Sequence, residues 1–343
     1  MTRRSWRDVP GRPHKKPHEV PPGRRWGFRP SEPRSGLPLV PLVRPGAPVL
    51  TLFRAMLLRK FRRVGLGSHS ALLSTGRMRY YRGGSGPPLV FLHGFGGSAL
   101  ETWEKQVGAF APHYSVVAPD LFWFGGSVPL DGHRMDSAAA HAEAVLELLD
   151  RLGLRRVHLV GVSFGGFVAL ELALRQPERL EKLVLVGPAG VEPTVEEAER
   201  VAAAFGYPED IAEVLVPPDV EGLKRFLDTV FYRPRYIPRF VLRELLHQEF
   251  HRHREAKQRL CRGLLDQLRP VEELAEIAVR TLLVWGRHDP LLPPSIGERL
   301  ARGLPNATLA LLERSAHPPM LEEPARFNDV VLRFLAESPG RGR

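Results

Sequence analysis

Cysteine is almost absent from this 343-residue chain. The single thiol, Cys261, cannot close an internal disulfide, so nothing argues for an oxidising compartment and a cytoplasmic setting is expected. Cys261 has no nucleophile-elbow context, which excludes it as the obvious catalytic group. The apolar run at 49–64 is too short to span a bilayer, which takes about 20 residues, and arginines interrupt it. It also lacks the ordered regions of a signal peptide. Neither a dinucleotide fingerprint nor a P-loop is read, so no nucleotide cofactor is expected. His247 and His251 flank Glu249, but a zincin needs the glutamate directly after the first histidine. A polar helix face is the better reading, and no metal is expected.

Acidic residues are scarce at the N-terminus. Residues 1–63 hold sixteen Lys/Arg and three Asp/Glu, a local charge of +13, whereas the remainder holds 33 against 35. The net charge of +11 therefore belongs to an arm and not to the main domain. Residues 1–45 are rich in Pro, Arg and Gly and are expected to be disordered. A basic arm could bind nucleic acid. This one has no helical reading pattern and no aromatic ladder beyond Trp6, Trp26 and Phe28, so an extension of little function is preferred. Residues 46–66 differ. Leu50, Leu52, Phe53, Met56, Leu57 and Phe61 are spaced for one helical face, with Arg54, Arg59, Lys60, Arg62 and Arg63 beside them. The stretch 49–64 resembles an interfacial helix on an anionic membrane. A helix packed on the protein's own surface fits equally well.

What is abundant is strand and turn signal arranged around a serine. Gly161-Val162-Ser163-Phe164-Gly165 follows a short apolar, β-branched run at 156–160 and precedes a helical run at 167–174. Gly-x-Ser-x-Gly between strand and helix is the nucleophile elbow, whose glycines permit a tight turn that lifts the hydroxyl above the sheet. Serine needs a base, and the base needs an orienting acid. The expected chain order is Ser, acid, His. Asp289 follows the strand 281–286, and His317 follows the strand 307–312. The oxyanion would be held by the Phe164 amide and a second amide after the strand 88–92. That second donor is Phe95, with Gly94 or Gly96 as register alternatives. His93 reads as a structural hydrogen-bonding residue.

Strands and helices alternate from Leu89 to Leu183, which indicates a mostly parallel doubly wound α/β sheet. Strand signal vanishes over 191–276 and resumes at Val279. A helical insertion at 189–278 between core segments 67–188 and 279–343 reads as a lid over the strands' carboxyl ends.

These residues resemble the α/β-hydrolase superfamily over about 73–335. The resemblance rests on His93-Gly94-Phe95-Gly96-Gly97, Ala118-Pro119-Asp120-Leu121, Phe124-Gly125-Gly126-Ser127, the elbow, Gly286-Arg287-His288-Asp289 and Ser315-Ala316-His317-Pro318 with Glu323-Pro324. Gly187-Pro188-Ala189-Gly190 and the stretch 223–246 are similar to the lids of monoacylglycerol lipases and bacterial lipase/esterases. Phe122-Trp123 stands where many relatives carry Pro-Gly, near the expected pocket mouth. The resemblance implies a serine hydrolase of carboxylic esters, with acyl chains of medium length and no cofactor. A carbon–carbon-bond hydrolase of vinylogous diketones or a proline-type peptidase would use the same triad. A catalytically silent binding protein of this fold is the reading from another class.

Overall fold

The computed structural model describes residues 48–337 apart from Arg235. Helix α1 (Pro48–Arg63) leads into two antiparallel strands, β1 (Gly67–Leu73) and β2 (Gly76–Gly83). Then follow β3 (Pro88–Leu92), short helices α2 (Ala99–Thr102) and α3 (Val107–Phe110), β4 (Ser115–Pro119), β5 (Val128–Pro129) and α4 (Ala138–Arg151). The centre is β6 (Val157–Val162), α5 (Phe164–Arg175) and β7 (Leu180–Val186). Six helices come next: α6 (Val195–Ala204), α7 (Ile211–Leu215), α8 (Val220–Val230), α9 (Arg239–Leu245), α10 (Arg254–Leu265) and α11 (Val271–Leu274). The chain then returns to β8 (Thr281–Gly286), α12 (Pro294–Gly303), β9 (Ala307–Leu312), α13 (Pro319–Glu322) and α14 (Pro324–Ala336).

The sheet runs β1-β2-β4-β3-β6-β7-β8-β9, with β5 paired to β2. From β4 to β9 every neighbour is parallel, and β1 and β2 form an antiparallel edge. Both faces of the parallel part are covered, which is why β6 and β8 are buried at every position. Alternate side chains enter different cores. Val90, Leu92, Leu283 and Trp285 join a cluster that includes residues of α4, α5 and α12. Leu89, Phe91, Leu282 and Val284 join another that includes residues of α1, α3 and α14. Helices α2, α4, α6, α7 and α8 open on side-chain caps that accept otherwise unpaired amides. Ser137 caps α4, and Thr194 with Glu197 forms a capping box on α6.

Helix α1 does not present all its apolar residues on one free face. Leu50, Leu57 and Phe61 are buried, and Phe61 meets Tyr81 edge-on at 5.1 Å. Arg54, read from the sequence as one of the flanking surface charges, is buried with them. Its guanidinium bridges Glu101 of α2, at 2.8 Å, and Glu249 of the inserted helices. Leu52, Phe53 and Met56 point outward. The helix expected across His247 and His251 also differs. The segment Leu246–Phe250 widens into a π-helical turn, and His251 Nε2 faces the Pro218 carbonyl at 3.1 Å. No helix among the described residues is long and apolar enough to cross a membrane.

Candidate active site

Ser163 sits between β6 and α5 with φ 53° and ψ −117°. A non-glycine residue rarely adopts that region, and the flanking glycines explain how it is held. A methyl on Gly161 would lie 2.3 Å from the Gly165 carbonyl oxygen, and one on Gly165 would lie 2.4 Å from the Leu92 carbonyl oxygen. Only glycine fits at either position. The Ser163 amide donates to Val186 at the end of β7, and its carbonyl accepts from Phe167 and Ala189.

His317 and Asp289 reach the same end of the sheet from the loops after β9 and β8. His317 Nδ1 lies 2.8 Å from Asp289 Oδ2. The other carboxylate oxygen, Oδ1, accepts the Leu291 and Leu292 amides, each at 2.9 Å. These bonds fix the carboxylate so that Oδ2 can face the imidazole. Gly187, one residue beyond the Ser163 anchor on β7, packs beside both groups; a methyl there would lie 3.4 Å from Asp289 and 3.9 Å from His317. The three residues therefore converge where β6, β7, β8 and β9 end.

The loop after β3 faces this group. A methyl on Gly94 would lie 3.3 Å from Ser163 Cβ. Phe164 opens α5, where the first amides have no intrahelical acceptor, so its N–H is available beside Ser163. The Phe95 and Phe164 rings are 6.1 Å apart, and both meet Phe124. His93 organises the loop from beneath. Its Nε2 accepts the Leu121 amide at 2.9 Å, so Nδ1 carries the proton and donates to the Gly94 carbonyl at 2.7 Å. Burial holds His93 below the usual imidazole range, which suits that neutral form.

Several residues that hold the site were not singled out from sequence. Asp120, fully buried, accepts from the Ala99 amide, the Gly126 amide and Arg79. Glu322 accepts the amide of Ala316, next to His317, at 2.7 Å, and that of Tyr232 at 2.8 Å. Burial pushes the Glu322 carboxyl above its ordinary range. Glu323 accepts from Ser315 and Arg314 in the same loop. Only a Pro-Asp-Leu strand end and the Glu-Glu-Pro before α14 hint at these roles in one dimension. Their partners lie far away in sequence.

The inserted helices meet the site directly. The His317 amide donates to the carbonyl of Val230, the last residue of α8, at 3.0 Å. A methyl on Gly96 would meet the rings of Phe226 and Phe250 at 4.0 Å. Trp123, with φ 72°, is half-buried, and its ring is tilted at 53° to that of His253 with centroids 5.4 Å apart. Phe122 departs from expectation. It is wholly buried against Gly76 and near His141, so it is a core residue and not part of a pocket mouth. Cys261 is buried, and its thiol is pushed up to about 12, so it carries no thiolate near neutral pH.

A family model described as the alpha/beta hydrolase fold matches residues 87–324. The chain is 34% identical over 281 residues to a 2-hydroxymuconate semialdehyde hydrolase of Pseudomonas sp. (strain CF600), covering 76% of this chain and 91% of that protein. It is 31% identical to a 2-hydroxy-6-oxo-6-phenylhexa-2,4-dienoate hydrolase of Burkholderia cepacia, covering 77% and 93%. Among solved structures, a bacterial membrane phospholipase A superposes with a TM-score of 0.70 at 30% identity, covering 84% of this chain and 93% of that one.

Proposed function

Because this chain belongs to the α/β-hydrolase family, we propose that it cleaves an acyl–carbon bond by a Ser163–His317–Asp289 acyl-enzyme mechanism. The observation that carries this reading is the 2.8 Å His317–Asp289 contact, with the carboxylate held by two amides and a strained Ser163 at the same sheet end. Ser163 Oγ attacks the substrate carbonyl while His317 Nε2 takes its proton. Asp289 holds the productive tautomer and stabilises the imidazolium. The Phe95 and Phe164 amides hold the developing oxyanion. His317 then protonates the leaving group, and water activated by His317 releases the acid. The helical insertion closes over this chemistry with Phe226 and Phe250.

The first substrate reading is a vinylogous diketone of the 2-hydroxy-6-oxo-dienoate type. The names of the two curated relatives support it over the carboxylic ester favoured by the lid resemblance. A carbon leaving group departs only when conjugation delocalises its electron pair, and a dienoate supplies that conjugation. A second reading, a lipid ester, is favoured by the exposed apolar residues of α1 and the likeness to the phospholipase.

The test is a kcat/KM comparison of a phenyl-substituted dienoate, a chain-length series of p-nitrophenyl esters, and monoacylglycerols. The dienoate should be preferred by at least about tenfold, equivalent to about 1.4 kcal/mol of transition-state binding. Preference for a long-chain ester would replace the first reading with the second. A fluorophosphonate should label Ser163, and Ser163→Ala should lose labelling and turnover together. Turnover surviving that substitution would overturn the mechanism.

A further inference from the structure

Helix α1 has a second face. Val49, Leu52, Phe53 and Met56 recur at helical spacing beside the buried stripe and are exposed, Leu52 at 65% and Met56 at 57%. On the same side, toward the helix's carboxyl end, stand Arg59, Lys60 and Arg63. The amino end of α1 is tied to α9, because Glu244 accepts the Val49 and Leu50 amides at 3.1 and 3.0 Å. One turn before Glu244, on the same side of α9, Phe240 is 55% exposed, and Tyr236 ahead of the helix is exposed as well. Arg239 and Arg243 flank Phe240 and are exposed.

We propose that the face formed by α1 and α9 docks on an anionic lipid bilayer. The apolar side chains would enter the headgroup–acyl boundary, and the surrounding cations would meet lipid phosphates. The charge pattern selects this occupant. Glu104 pairs with Lys60 and Glu221 with Arg239, while Glu244 is engaged with the α1 amides. Arg59, Arg63 and Arg243 remain exposed on a face of one sign. Apposing two copies across a two-fold axis would bring these like charges together, whereas anionic headgroups complement them. The 47 residues before Pro48 in sequence hold eleven Lys/Arg against three Asp/Glu. Docking here would place the inserted helices at the lipid surface, since α9 continues into the π-helical turn that carries Phe250 over Gly96. The proposal stands whichever substrate class is correct.

The test is co-sedimentation of the full chain with phosphatidylcholine vesicles, with and without phosphatidylglycerol. Binding is expected only with phosphatidylglycerol. It should fall as salt rises from 0.1 to 1 M, because the screening length shrinks from about 10 to about 3 Å. Leu52→Ser/Phe53→Ser/Met56→Ser changes only exposed side chains, so its circular dichroism and melting temperature should match wild type. Its bound fraction should drop by about tenfold. Equal binding by the triple variant would overturn the proposal, as would no binding to phosphatidylglycerol vesicles. A wild-type dimer that the triple variant converts to a monomer would also overturn it, in favour of an interface between copies.

Discussion

Arg54→Met should destabilise the protein far more than the loss of an ordinary helix arginine. The Arg54 side chain is 10% exposed and Glu249 is 9% exposed. Burial pulls the Arg54 pKa down, but Glu249 and then Glu101 outweigh it, and the net direction is upward. The guanidinium is therefore held firmly in its charged state. Without it, the Glu249 carboxylate loses this partner in a poorly solvated site. Removing one member of such a pair costs about 3–5 kcal/mol. Glu101, at 24% exposure, keeps its bond from Ser98 and adds a term nearer the surface value of about 0–1 kcal/mol. A loss of about 3–5 kcal/mol in urea unfolding is expected, with an unchanged denaturant slope. Arg54→Met/Glu249→Met should recover most of it, since apolar replacement of a whole buried pair is often neutral. A single-variant loss below about 1 kcal/mol, or no recovery in the double variant, would refute a desolvated bridge.

Two further outcomes follow from the site. Asp289→Asn should keep the fold but lower kcat by up to about 10⁴-fold, because the imidazole is then held in the wrong tautomer; near-normal turnover in a stopped assay would show that Asp289 does not orient His317. His141, buried against Phe164, is pushed down to about 3 mainly by burial, against an ordinary value of 6.5. The unfolded chain thus binds the proton more readily, so the stability from neutral His141 is full above about pH 6.5 and falls toward pH 3, by up to about 1.4 kcal/mol per unit. His141→Leu should flatten that acid limb in denaturant titrations at stepped pH, and an unaltered slope would argue that His141 does not titrate there.

The parallel centre was legible because strands buried on both faces must be continuously apolar. Strands β3, β8 and β9 fall at the boundaries read from sequence. The antiparallel edge was not read. Strand β1 is polar, Gly-Ser-His-Ser, as an exposed edge can be, and β2 alternates Met78 and Tyr80 with arginines. One of those arginines, Arg79, turns out to serve Asp120. The serine, acid and histidine were picked by motif order, and the structure brings them to one sheet end. The groups that fix their loops were not, because Asp120, Glu322 and Glu323 look like ordinary acids until distant amides arrive. Helix α1 shows the limit of periodicity most clearly. Spacing alone merges two apolar stripes into one face, and only the position of Glu101 and Glu249 decides that Arg54 points inward.

Val186 and Val284 pair in register although 97 residues separate them in sequence. The chain between β7 and β8 is the whole helical insertion, yet closing so long a connection costs little more than closing a shorter one. Each doubling of a flexible loop's length adds only about 0.6 kcal/mol of closure entropy. The insertion is also stapled by a core of its own, with Leu223, Phe226, Val230, Leu242, Leu246 and Phe250 clustered together. The length of this segment therefore adds little to the cost of closing the sheet, provided that its packing on the main core through Ala212, Leu260 and Leu274 and its Glu249 bridge to Arg54 are kept. What a change in this segment would alter is the surface facing Gly96 and the carbonyl that receives the His317 amide. Substrate range can drift on this fold through changes in the length and lining of a segment whose anchoring contacts stay in place.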